Sequence, residues 1–332
     1  MNPNRTIASL AAAHRSSERQ AATRYKHYAT QVRAERGLAH GAPVPHSSES
    51  SENYIEMLST LHRDAAISWN WSQIAASPPP AANREREAAA QGVLDAYKPA
   101  FFERLLGQAD KRHQEFASAV AHARAADDAA WREVCEQWNW CQQVAQLILQ
   151  GDLRAYRTAI EHFSPFEELE WLGMKVDVQI NEPSLAVALV TVRDDAVPMM
   201  EYKVLASGRV SPKEMPRTRY RELCQAYVCS AAIRVARELF SLLPIPRVLV
   251  HAVAVRLDPA TGHSGPRTLL SVDFDRERLL NVNFDRIEPS FAVESFRHAM
   301  DFKKSVGLLP VEALEPLAQL SSLDEAPARR RR

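Results

Sequence analysis

The most constraining feature of this sequence is a change of periodicity near Pro165. From about Ser51 to Glu161, apolar residues recur at the three- and four-residue spacing of helices, and strand-like runs begin only after Pro165. The stretch from Asp110 to Gln150 contains neither glycine nor proline. The sequence therefore predicts a helical arm followed by a separate domain that contains a β-sheet.

Two forms of the helical arm fit this pattern. An unbroken helix from Asp110 to Gln150 would be ~60 Å long at 1.5 Å per residue. Asp127-Asp128 could instead cap a second helix and fold the arm into a hairpin, and the sequence does not decide between the two. In either form, one face of the arm has the spacing of a coiled-coil seam, which predicts self-association or docking of a partner through Val134, Trp138, Cys141 and Ile148.

The residues after Pro165 predict an α+β domain. Three strand-like runs separated by short turns favour antiparallel pairing, and a long amphipathic helix must cover one face of the sheet. The predicted elements, in order, are strands at Met174 to Ile180, Leu185 to Val192 and Val197 to Leu205, a helix at Thr218 to Leu243, strands at Val248 to Leu257 and Thr268 to Phe274, and a closing helix at Pro289 to Lys304.

These elements predict four regions of the chain. A poorly ordered N-terminal helix and linker occupy 1–50, the helical arm 51–163, the α+β domain 164–311 and a mobile tail 312–332. The mainly antiparallel sheet covered by a long helix defines the fold class of the third region.

Composition indicates a globular protein without a global charge bias. Apolar residues make up 46% and charged residues 25%, and Lys+Arg and Asp+Glu balance at 41 each. This balance provides no global field for nucleic acid or an anionic membrane, and no run of apolar residues is long enough to span a bilayer. The four cysteines lack CxxC spacing, which predicts free thiols in a reducing cytoplasm and no metal or other cofactor.

One pattern predicts catalysis. Asp177 on one strand and Glu201 with Lys203 on a later strand match the acid and Glu-x-Lys of PD-(D/E)xK nucleases, in which carboxylates hold Mg²⁺ and lysine supports the attacking water. The apolar run from Leu185 to Val192 separates these two strands, and Glu-x-Lys is also common on the solvent face of an ordinary strand. A solvated strand face is the favoured interpretation, and a metal-dependent nuclease is the alternative.

A second pattern predicts contacts with phosphate. The loop and helix start from Arg209 to Arg221 contain five basic residues and one acid, Glu214. Such a patch can bind a phosphate backbone or an acidic partner, but a solvated loop followed by the first turn of a helix is the favoured interpretation. The basic residues are Arg209, Lys213, Arg217, Arg219 and Arg221.

Two stretches, ENYIEMLSTLHRDAAISWNWSQIAASPPP and SPKEMPRTRYRELCQAYVCSAAIRVARELF, resemble an uncharacterised group of bacterial proteins. The resemblance covers most of Asn53 to Leu309, and it implies a bacterial origin and one recurrent architecture. It supplies no activity, cofactor or catalytic residue. The leading expectation is therefore a non-enzymatic, cytoplasmic interaction or scaffold protein.

Overall fold

The computed structural model describes residues 48–64, 68–164, 166–193, 195–204, 210–257 and 261–316. Nearly all of the N-terminal region predicted at 1–50, and most of the tail predicted at 312–332, lie outside these residues. The elements in chain order are α1 (Ser48–Thr60), α2 (Trp71–Ala75), α3 (Glu85–Ala96), α4 (Phe101–Leu105), α5 (Ala109–Leu149), α6 (Leu153–Phe163), α7 (Phe166–Leu169), β1 (Met174–Glu182), β2 (Leu185–Val192), β3 (Met200–Val204), β4 (Val210–Glu214), α8 (Arg217–Leu242), β5 (Arg247–Leu257), β6 (Ser264–Asp275), α9 (Arg276–Leu280), α10 (Pro289–Glu294), β7 (Arg297–Lys303) and β8 (Gly307–Leu309).

The described chain forms two compact units. A helical unit contains residues 70–150, and an α+β unit contains residues 48–69 and 151–316 apart from the gaps given above. The predicted arm at 51–163 is thus divided, because α1 packs on α8 and β3, and α6 packs on β1 and α8.

The helical unit is built on one long helix. Helix α5 runs unbroken for 41 residues, so the chain does not turn back at Asp127-Asp128. Gly107 and Gly151 lie just outside its ends with φ of 63° and 78°. Glycine adopts this left-handed conformation without a steric penalty, and it therefore ends helices efficiently.

Helices α2 and α3 pack on α5 in the antiparallel direction. The Gln142 side-chain amide donates to the carbonyl of Ile74 at 2.6 Å, whereas the rings of Phe116 and Tyr97 lie 5.0 Å apart towards the other end of α5. The helical unit is therefore a hairpin whose turn lies between α3 and α5, not at Asp127-Asp128.

Asp127 has a capping role across this hairpin. Its carboxylate is buried in α5 and accepts the backbone N–H of Glu87, the third residue of α3, at 2.9 Å. This N–H is one of those that an α-helix leaves unpaired at its start. The contact fixes the register of α3 on α5.

The α+β unit contains a six-stranded sheet in the order β1-β2-β5-β6-β7-β8. Strands β2 and β5 are parallel, and the other neighbouring pairs are antiparallel. Helix α8 lies between β2 and β5 in the chain and packs on both strands and on β6. This confirms a mainly antiparallel sheet covered by a long helix.

The periodicity of β1 is as the sequence predicts. Met174 and Ile180 are buried, whereas Lys175, Asp177 and Gln179 are exposed. Alternate side chains of a strand point to opposite faces, so β1 has one face towards the core and one towards solvent.

One predicted strand pairing and one predicted helix differ from the structure. The third predicted strand does not pair with β2; β3 pairs with β4 in a separate two-stranded ribbon, and β2 pairs with β5 instead. A parallel pair needs a long crossover, and α8 provides it. The closing helix predicted at 289–304 ends at Glu294, and β7 follows because Leu270–Asp273 of β6 offers an edge for pairing.

The start of the predicted tail is attached to the sheet. The N–H of Leu314 donates to Ser271 Oγ at 3.0 Å, and Arg297 Nη1 donates to the carbonyl of Glu315 at 3.0 Å. Within the described residues, no helix has the length and apolarity needed to cross a membrane.

Candidate binding sites

The residues of the predicted nuclease pattern lie in different sheets. Asp177 is on the solvent face of β1, and its carboxylate is 3.8 Å from Lys175 Nζ. Glu201 is on β3, where its buried carboxylate accepts from Arg219 Nη1 at 2.6 Å. Lys203 also belongs to β3, but its side chain lies outside the described residues. Across the part of the chain that the structure describes, no group of three or more His, Cys, Asp or Glu side chains is placed to hold a metal ion.

The predicted basic patch is divided among several environments. Arg209 lies outside the described residues, and Lys213 and Arg217 are exposed. Arg219 is paired with Glu201, whereas Arg221 donates from Nη1 to the carbonyl of Lys304 at 3.0 Å. Arg221 therefore faces a different part of the fold from Arg219.

Arg221 lines a cleft in the α+β unit. The carboxyl ends of the parallel strands β2 and β5 lie at the same edge of the sheet, with Arg193 directly after β2 and Arg256 near the end of β5. The first turns of α8 place Tyr220, Arg221 and Cys224 at the same cavity, which has a volume of about 310 Å³. We call this cavity the arginine cleft.

The arginine cleft has an apolar floor. Five of its lining side chains are at most 5% exposed: Val192, Val197, Tyr227, Val228 and Leu269. Burial raises the pKa of the Tyr227 hydroxyl well above its usual value, and this hydroxyl donates to the carbonyl of Leu172 at 2.8 Å. The floor is thus buried and uncharged.

The turn between β7 and β8 closes one side of the arginine cleft. Gly307 has φ of 101°, and a Cβ there would lie 3.4 Å from Arg221 Cγ. Lys304 Nζ is 2.8 Å from the carboxylate of Glu222, which holds the turn on α8. Glycine at 307 therefore permits the close approach of the turn to Arg221.

The sequence pattern identified Arg221 but not its neighbours in the cleft. Arg193 and Arg256 are isolated basic residues at the ends of apolar strands, and only the parallel pairing of β2 with β5 brings them to one edge. A basic residue at the carboxyl end of each of two apolar strands, with a long helix between the strands in the chain, is the signal that could have found them.

The predicted self-association face is partly covered within the helical unit. Val134 is 45% exposed, but Ile148 is fully buried. Trp138 and Cys141 are half-buried, and the indole N–H of Trp138 donates to Ser77 Oγ at 3.2 Å. Helix α2 packs on the same part of α5, so much of this face already has an intramolecular partner.

Four strongly exposed apolar residues lie together at the turn of the helical hairpin. The apolar side chains of helix α4, and that of the residue after it, are 67–73% exposed. We call this surface the apolar tip; it consists of Phe101, Phe102, Leu105 and Leu106.

Polar contacts of Glu103 hold helix α4, which carries the apolar tip, against α5. Its carboxylate accepts the N–H of Ala100 at 2.9 Å and lies 2.6 Å from Arg112 Nη1 of α5. The N–H of Ala100, and then Arg112, lower the pKa of Glu103. The short helix is therefore tied to α5 through its polar residue, while its apolar side chains remain exposed.

A serine–histidine pair is also present, but it is enclosed. His62 Nδ1 lies 2.9 Å from Ser230 Oγ, and both residues are at most 1% exposed. Burial lowers the pKa of His62. A nucleophile must be reachable by its substrate, so this pair acts in packing α8 against the 3₁₀ turn at Leu61–Arg63.

Comparisons of the chain with protein-family models, curated proteins and solved structures give no match. This outcome is consistent with the resemblance to an uncharacterised bacterial group, which brings no known activity to these sites.

Proposed function

We propose that this protein is a non-enzymatic interaction protein that associates with a second copy of itself through the apolar tip. The observation that supports it is the exposure of four large apolar side chains within residues 101–106. Scattered single apolar residues are normal on a protein surface, whereas a contiguous patch marks an interaction site.

The size of the apolar tip fits a modest dimer interface. An aromatic side chain contributes roughly 150–250 Å², so two tips meeting face to face would bury on the order of 1,000 Å². This area is at the lower limit for a specific interface. We therefore expect a reversible dimer with a dissociation constant on the order of micromolar.

The charges around the apolar tip favour a second copy as the occupant. Lys98, Arg104 and Asp110 are close in sequence and supply both signs at the border of the tip. A two-fold interface places the same patch on both partners, so a mixed border can pair basic residues of one copy with acidic residues of the other.

The cysteines support a cytoplasmic location for this proposal. Cys135, Cys141, Cys224 and Cys229 are free thiols, and Cys229 is fully buried. Burial raises the pKa of the Cys229 thiol above its usual range, which keeps it protonated and inert. Free thiols are typical of proteins in a reducing compartment.

Light scattering of the purified full-length chain at increasing concentration tests the proposal. We expect a monomer–dimer equilibrium that Phe102→Asp shifts to monomer, because a buried, unpaired carboxylate opposes the interface. Leu280→Asp is the matched control, since Leu280 is 52% exposed on the other unit. A strictly monomeric wild type, or a dimer that both variants leave unchanged, would refute self-association through the tip.

The same preparations also test the two other predicted functions. Incubation with DNA and RNA in Mg²⁺ tests the nuclease, for which cleavage must disappear in Asp177→Ala and Lys203→Ala. Binding without cleavage that weakens steeply with salt would indicate contacts with a phosphate backbone.

A further inference from the structure

We infer that the arginine cleft is a binding site for a small organic oxyanion, a carboxylate or a phosphate monoester attached to an apolar body. This site is independent of the apolar tip, because every described residue that lines it belongs to the α+β unit. The inference follows from the position of the cleft in the sheet, its charges and its apolar floor.

The position of the cleft is one that favours ligands. In open sheets with parallel strands, ligands bind outside the carboxyl ends of the strands, where the connecting helix begins. The arginine cleft lies at the carboxyl ends of β2 and β5, beside the first turns of the 26-residue crossover helix α8.

The charges of the cleft select an anion. Arg193, Arg221 and Arg256 line the cavity, and no acidic residue is among its described lining. Two acids lie beside the cleft arginines in sequence: Asp195 accepts from Arg193 Nε and Nη2 at 2.9 and 2.6 Å, and Glu222, next to Arg221, is paired with Lys304 at 2.8 Å. Guanidinium groups recognise carboxylate and phosphate oxygens through paired hydrogen bonds.

The floor of the cleft selects an organic ligand over a bare ion. Ligand pockets combine apolar walls with a few polar groups that fix orientation. Here the buried side chains of Val197, Val228 and Leu269 face the same cavity as the three arginines. A volume of about 310 Å³ is at the small end of ligand pockets, so the ligand has one ring or a short chain.

Calorimetric titration of the full-length chain tests the inference with three probes: phenyl phosphate, benzoate and inorganic phosphate. We expect at least one of the two organic anions to bind at millimolar concentration or below, and inorganic phosphate to bind more weakly because it does not contact the floor. The better of the two organic probes identifies the head group. No binding of either organic anion would overturn the inference, as would equal affinities for phenyl phosphate and inorganic phosphate.

Two variants and a control localise the binding. We expect Arg193→Gln and Arg256→Gln each to weaken the organic anion about tenfold, the contribution of one charge-assisted hydrogen bond. Arg286→Gln is the control, because Arg286 is exposed on the same unit and does not line the cleft. Unchanged melting temperatures establish that all three variants are folded, and equal affinities in all three would place the anion elsewhere and overturn the inference.

Discussion

The buried ion pair on α8 provides a quantitative test of how the α+β unit is stabilised. Arg234 Nη2 lies 2.6 Å from Glu238 Oε1, and the two side chains are only 7% and 2% exposed. Arg234 Nε and Nη1 are buried and have no hydrogen-bond partner among the described residues. Glu238 therefore supplies the main counter-charge to the Arg234 guanidinium inside the α+β unit.

Replacing Glu238 by glutamine leaves that cation without a counter-charge. We expect Glu238→Gln to lower the free energy of unfolding by about 3–5 kcal/mol, the usual consequence of breaking a buried pair. The double variant Arg234→Met/Glu238→Leu removes both charges and keeps similar volumes. We expect it to be as stable as the wild type, or more stable by up to about 4 kcal/mol.

The matched control is an ion pair on the surface of the same helix. Glu222 lies 2.8 Å from Lys304 Nζ, with side chains 44% and 74% exposed. We expect Glu222→Gln to lower the free energy of unfolding by less than about 1 kcal/mol, because water screens an exposed ion pair.

Hydrogen exchange of the buried amides of α8 is the appropriate assay, because it reports the opening of this unit separately from the helical unit. The reasoning is refuted if Glu238→Gln lowers the free energy of unfolding no more than Glu222→Gln does. It is also refuted if the double variant Arg234→Met/Glu238→Leu loses as much stability as Glu238→Gln.

Three further substitutions test individual contacts. Gly173→Ala should lower the free energy of unfolding in urea by about 2–4 kcal/mol, because Gly173 has φ of 81° and a new Cβ would lie 2.8 Å from that of Ala196. A decrease below about 0.5 kcal/mol would contradict this. Asp127→Ala should lower the free energy of unfolding by about 1 kcal/mol and speed hydrogen exchange of the Glu87 amide, since it removes the cap of α3. Unchanged exchange of this amide would argue against the cap. His62→Gln should make the melting temperature less sensitive to acid. Burial lowers the pKa of His62, so the contribution of the neutral imidazole to stability is complete above about pH 6.5 and declines as the pH falls below that value. An unchanged slope of melting temperature against pH would contradict this.

Local patterns were sufficient to predict the main elements. The alternation of β1, the apolar run of β2 and the length of α8 all agree with the structure. The absence of glycine and proline from Asp110 to Gln150 predicted helix throughout α5, but it left open a break at Asp127-Asp128 that the structure does not have. These features depend on residues close together in sequence, which is why periodicity reveals them.

Pairing between distant segments was not predictable in the same way. The partner of β2 is decided by where α8 returns the chain, and the short turns alone favoured β3. Residues 297–303 were predicted as the end of a helix, yet the unpaired edge of β6 makes them a strand. Strand formation depends on neighbours more than on intrinsic preference.

The candidate sites were predictable only in part. The sequence marks Phe101 to Leu106 as an apolar helix, but helical spacing alone indicates a core face, and exposure depends on whether another segment covers it. Arg221 was predicted within a basic loop, whereas the convergence of Arg193 and Arg256 on it requires the sheet topology.

The association of two apolar tips is the central claim, and concentration-dependent hydrogen exchange tests it most directly. Amides of residues 101–106 should exchange more slowly in concentrated than in dilute protein, and Phe102→Asp should remove the difference. Equal exchange of this segment at both concentrations, or protection confined to other segments, would contradict the claim.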